Sequence, residues 1–143
     1  MLRDLYSDLL PVIGNKIAAR TKAAGAVEGE VIDLQGFEGA CIIGVAGALG
    51  AQVNTYEFQL MEGDDEDGDF SAVADVDLLG SEPTFVQDGA DTDESDSAKS
   101  FGYVGLKRYI RVDLKAPTGD GTGSGVVGAL VIKGHPRHSP AVS

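Results

Sequence analysis

Residues 109–114 read Tyr-Ile-Arg-Val-Asp-Leu, an alternation of polar and apolar side chains in the period of two that a strand shows when one sheet face is buried. Beyond residue 25 the chain repeats this theme in short pieces divided by turn residues, and it holds no long amphipathic helix that could cover a sheet. Two sheets must then cover each other, or one sheet must close on itself. The expected fold is all-β, an antiparallel β-sandwich or jelly-roll-like barrel. Candidate strands are residues 29–34, 40–46, 55–62, 71–79, 84–87, 101–104, 108–115 and 126–133. In the strand at 108–115, Ile110, Val112 and Leu114 face the core, with Val127, Ala129 and Val131 or their alternates Leu130 and Ile132 facing them from a neighbouring strand, while Arg111, Asp113 and Lys115 stand in water.

The first 25 residues differ. Leu2, Leu5, Tyr6, Leu9 and Leu10 have near-helical spacing, but Pro11 and Gly14 cut the pattern short, so this segment reads as an N-terminal arm or short helix. Three parts follow: an arm over 1–25, a β-sandwich domain over 26–134 and a C-terminal tail over 135–143. The 143 residues, 43% of them hydrophobic, suffice for one core without disulfides. Cys41, the single cysteine, lies in an apolar run and reads as a small buried hydrophobe, which fits a reducing cytoplasm. No apolar run reaches the ~20 residues that span a bilayer, and the acids near the N-terminus do not match a secretory signal. A membrane is not an expected partner.

Charge is uneven. Residues 1–56 sum to −2, 57–98 to −15 and 99–143 to +5, giving the net −12. A field of that sign repels polyanions, so nucleic acid is not an expected partner either. Residues 101–115 nonetheless carry four of the eleven basic side chains. The acidic stretches around 62–69 and 87–100 read as extended, solvated linkers, and Ala116–Gly125 as a glycine-rich hairpin connection.

Tests for chemistry fail. An EF-hand frame set on Gly68 puts Gly63 at its first place and Ala74 where a bidentate Glu is needed. Gly119–Gly125 lacks the Lys-Ser/Thr of a phosphate loop and leads into a strand. His135 and His138 have no third ligand nearby, and Pro136 opposes the helix that would align them. No serine sits in a nucleophile elbow, and nothing in the charged loops would raise a carboxylate pKa. No catalytic residue, metal or cofactor is expected.

Four segments in order, VIDLQGFEGACIIGVAGA, YEFQLMEGDDEDGDFSAVADVDLLG, GYVGLKRYIRVDLK and GALVIKGHPRHSPAV, resemble small virion proteins of long-tailed bacteriophages encoded in the head gene module. GYVGLKRYIRV and KGHPRHSP are the most specific pieces. Members of that group look like capsid decoration, or cement, proteins. The resemblance implies a β-rich module on the outer capsid surface, bound to the major capsid protein, assembled in the host cytoplasm and without enzymatic activity. A symmetric homo-oligomer, with a trimer favoured, would multiply weak contacts through effective concentration. Candidate assembly contacts are Leu5, Tyr6, Leu9, Leu10, Val12 and Ile13 in the arm, and His135, Arg137 and His138 in the tail. Other head-tail or tail subunits, and a carbohydrate- or host-binding β-sandwich, are the alternative functions.

Overall fold

The computed structural model describes residues 5–50, 53–88 and 93–136. It is an all-β sandwich of two antiparallel sheets. The strands are β1 (Leu9–Thr21), β2 (Ile32–Asp33), β3 (Phe37–Ala46), β4 (Asn54–Gly63), β5 (Ser71–Ala72), β6 (Leu78–Leu79), β7 (Thr84–Gln87), β8 (Ser97–Tyr103), β9 (Tyr109–Leu114), β10 (Thr118–Gly119) and β11 (Ser124–Pro136). One sheet has five strands in the order β1-β11-β3-β8-β6. The other has six: β10, β4, β9 and β2 in that order, with β5 and β7 also on β4.

Both inner faces obey the expected alternation. Ile110, Val112 and Leu114 are fully buried, as are Val127, Ala129 and Val131, so the inward set of β11 is the first of the two alternatives. They meet across the sandwich, since β9 and β11 belong to different sheets. Tyr56, Phe58, Leu60 and Phe85 fill the space between, with Phe58 and Phe85 edge to face at 6.4 Å.

The N-terminal expectation is corrected from Leu9 onward. That segment is neither a helix nor an arm loosely packed on its own domain; it is a 13-residue strand paired with β11 from Leu9↔Gly134 to Thr21↔Ser124. Pro11 and Gly14 do break a helix, but an edge strand tolerates both. Pro11 is exposed, and Gly14 lies at a register shift between Ile13 and Asn15. There β1 reaches the second sheet: the Glu30 N–H donates to the Gly14 carbonyl at 2.8 Å, and buried Asn15 donates from Nδ2 to the Val112 carbonyl at 3.0 Å.

Several boundaries also move. Residues 71–79 form two short strands around a 3-10 turn, Asp75–Asp77, and 29–34 pairs only at Ile32 and Asp33. The glycine-rich connection after β9 is not a hairpin, because it carries the chain from one sheet to the other and adds β10 to β4 on the way. The Asp64–Asp69 segment is the exposed tip between paired β4 and β5. The second acidic stretch is partly tied down: Glu94 accepts from the Val86 N–H at 2.6 Å and from Lys99 Nζ at 2.7 Å. Strand β11 runs past residue 134 to Pro136, opposite Phe37.

Candidate assembly face

The basic stretch 101–115 is resolved by pairing. Lys107 meets Asp64 at 2.6 Å, Lys115 meets Glu57 at 2.9 Å, and Arg108 grips both Asp33 oxygens at 2.9 and 2.8 Å while lying over the Tyr109 ring. Arg111 forms the same two-pronged contact with Asp113 at 2.8 and 2.9 Å and stacks on Phe70. Arg108 holds Asp33 below the usual carboxylate range. The hydrogen bond to Asp113 raises the Arg111 guanidinium. These side chains do not simply stand in water: Arg111 and Asp113 keep 17% exposure each, Arg111 lying against Phe70 and Glu28, and Asp113 accepting from Arg111 and from the Gly29 N–H. The six-stranded sheet therefore carries a charged, internally neutralised outer face.

The loop before β9 is braced from beneath. Tyr103 donates its hydroxyl proton to Glu62 at 2.7 Å and accepts from the Lys107 N–H at 3.1 Å. Burial, then the Glu62 carboxylate, push this phenol above its ordinary range. Leu106 projects from that loop fully exposed.

The outer face of the five-stranded sheet is built differently. Residues paired across an antiparallel ladder share a face, so the registers define rows. One row crosses all five strands as Pro11, Ile132, Cys41, Gly102 and Leu79. The next reads Ile13, Leu130, Ile43 and Ser100, and a third Gly128, Val45 and Ala98. None of these positions carries a charge. Ile13 is 46% and Leu79 61% exposed, and Ile43, Leu130 and Ile132 are partly exposed. Ile17 lies directly over Gly128, in space that a Cβ there would occupy. Glycines at 102 and 134 leave an open hollow of about 590 Å³ between Leu9, Cys41, Leu79 and Ile132.

Cys41 is the clearest departure from expectation. It is exposed rather than buried, because in β3 the inward positions are Ala40, Ile42, Gly44 and Ala46 and the odd-numbered residues face out. An apolar run alone cannot fix which of its two sets is inward when both are apolar.

Of the residues singled out from sequence, Leu9 and Ile13 fall on or beside this face through their pairing with Gly134 and Leu130. Val12 packs against the core, and Leu10 pairs with Lys133 on the inward parity. Leu5 and Tyr6 precede β1 and are exposed, Tyr6 at 91%. His135 is exposed in β11 with a positive φ of 52°. Arg137 and His138 lie outside the described residues. Ile43, Val45, Leu130 and Ile132 were missed as surface residues; the signal was the two-sided apolar character of 40–46 and 126–132.

Among the described residues no three His, Cys, Asp or Glu side chains gather as a metal site, and no helix is long and apolar enough to cross a membrane. No protein-family model and no curated protein matches the chain. Among solved structures it is similar to the CBM22-1 and GH10 modules of a Clostridium thermocellum endo-1,4-beta-D-xylanase complexed with xylohexaose, with 11% identity over 96% of this chain and a TM-score of 0.41. It is also similar to a chain of infectious bursal disease virus, Gx strain, with 8% identity over 87% of this chain and a TM-score of 0.38. The chain spans 28% and 31% of those two chains.

Proposed function

We propose that the chain is a structural protein of a bacteriophage virion, a decoration protein that binds the outer capsid surface and stabilises contacts between major capsid protein subunits. The observation that carries this reading is the uncharged, aliphatic outer face of the five-stranded sheet. A contiguous apolar face on an otherwise acidic chain favours burial against protein, and a homo-oligomer joined through it would bind the capsid multivalently, so that losing the face loses the binding. Its rows hold no aromatic ring on which a sugar could stack, and no titratable cluster that would support catalysis. The resemblance carried by GYVGLKRYIRV and KGHPRHSP supplies the virion context, with the major capsid protein as partner and the chain acting as a homo-oligomer.

The test is co-sedimentation of the purified chain with capsids of the phage that encodes it, assembled without it. Binding is expected to saturate at a fixed ratio to the major capsid protein, and Leu130→Glu is expected to abolish it while the far-ultraviolet spectrum stays unchanged. A chain that stays in the supernatant at every concentration sinks the proposal.

A further inference from the structure

Resting on that assembly reading, we infer that the partner covering the five-stranded face is a second copy of this chain, packed sheet on sheet about a two-fold axis running along β3. Three observations select this occupant and this axis.

The first is size. Four strands ~4.8 Å apart, with β11 running ~27 Å from Val126 to Gly134 and β6 adding only Leu78–Leu79 at one corner, give a face of about 500 Å² in plan. That is more than half of the ~800 Å² each partner contributes to a stable interface. Because the rows carry no charge, a second copy laid on them buries no unpaired ion.

The second is the distribution of charge along the two edges. On the β1 edge Lys16 is exposed and, among the described residues, not ion-paired with a carboxylate, while Arg20 donates to Asn15 and to the Lys16 carbonyl and Lys22 donates to the Gly119 carbonyl. The opposite edge carries Asp75 and Asp77 beside β6, and Asp93, Glu94 and Asp96 at the entry to β8, with Lys99 bound to Glu94. The edges are thus of opposite sign.

The third is level. Ala18 pairs with Val127, Val127 with Ala46 and Ala46 with Ser97, so the basic part of β1 stands at the same height as the acids just before Ser97. In the sheet order β3 is central. Rotation by a half turn about an axis along β3 keeps height and exchanges the edges. It brings Lys16 of each copy toward Asp93–Asp96 of the other, twice over. A two-fold across the strands would instead lay Asp93–Asp96 of one copy over Asp75 and Asp77 of its partner.

Equilibrium sedimentation of the intact chain tests this at physiological salt. The wild type is expected to sediment as a dimer at micromolar concentration. Leu130→Glu is expected to raise its dissociation constant at least about 100-fold, as for loss of a central interface residue. Lys16→Glu is expected to raise it about tenfold or less, as befits a rim charge, and Asp96→Lys added to the same chain to recover most of that loss, because the two-fold pairs each with the other. A trimer, a dimer indifferent to Leu130→Glu, or a double variant weaker than Lys16→Glu alone overturns the arrangement. A wild type that stays monomeric yet saturates capsids overturns this inference and leaves the decoration role standing. A dimer of the stated behaviour that never binds capsids does the reverse.

Discussion

The two sheets share one interior and present opposite exteriors. On the six-stranded sheet, outward positions of β4 and β9 are Glu57, Gln59, Arg111 and Asp113, and the charges are met by partners on the same surface. On the five-stranded sheet the equivalent positions are Cys41, Ile43, Val45, Leu130 and Ile132. The first exterior is finished by the chain's own side chains. The second has the composition of an interior with nothing of the described chain upon it. Net charge belongs to neither face; the acids concentrate in the loops and turns.

The largest effect tests what the two sheets share. Val112 is fully buried from the charged sheet and faces the β11 side chains of the other. Val112→Asp places an unpaired carboxylate there, at a cost of several kcal/mol, enough to unfold a marginally stable domain. Circular dichroism is expected to show loss of the cooperative melt. A folded variant would mean that the interior is wetter than the burial of Val112 implies.

The second effect tests the joint between the sheets. Asn15 donates to the Val112 and Val27 carbonyls and accepts from Arg20. Asn15→Leu removes these bonds at a buried position and is expected to cost about 1–3 kcal/mol in chemical denaturation. If the change were neutral, β1 would be held to the second sheet by other contacts alone.

The third separates the exteriors directly. Arg111→Ser leaves the largely covered Asp113 with the Gly29 N–H alone and is expected to cost about 1 kcal/mol. Ile43→Lys, on the other sheet, is expected to change the stability of the isolated chain by no more than about 0.5 kcal/mol, while abolishing association. The reverse ranking in thermal melts would mean that the apolar face already serves the monomer.

Most of the inner architecture was legible in the sequence. Tyr109–Leu114 alternates polar with apolar, so only one facing is possible, and the structure adopts it. The segments 40–46 and 126–132 are apolar on both parities, so their strand character was readable but not which set faces in; the exposure of Cys41 follows from that ambiguity. Strand β1 was hidden for another reason. Pro11 and Gly14 are strong evidence against a helix, yet they carry no evidence against an edge strand, and the bulge at 13–15 breaks the alternation that would have revealed one. The pairing of Arg108 with Asp33 joins residues 75 apart in sequence, and only the β2–β9 register brings them together.

The smallest effect concerns that pair, and it sharpens the picture of a self-neutralised face. The Arg108 guanidinium, aided by the Gln35 N–H, holds the Asp33 carboxyl below its ordinary value. A carboxyl with a folded pKa below its unfolded one adds stability that is fully present above the unfolded value, near 4, and is lost as pH falls through the folded value. The pair is exposed, so solvent screens most of this contribution. Arg108→Gln removes the dominant cause. Carbon-detected titration of the Asp33 carboxyl is expected to move its midpoint upward in the variant. The difference in melting temperature between the two proteins, small at neutral pH, is expected to shrink further below pH ~4 as Asp33 protonates in both. An unchanged Asp33 midpoint would show that Arg108 does not neutralise it in solution, leaving that edge of the charged face open to an external cation.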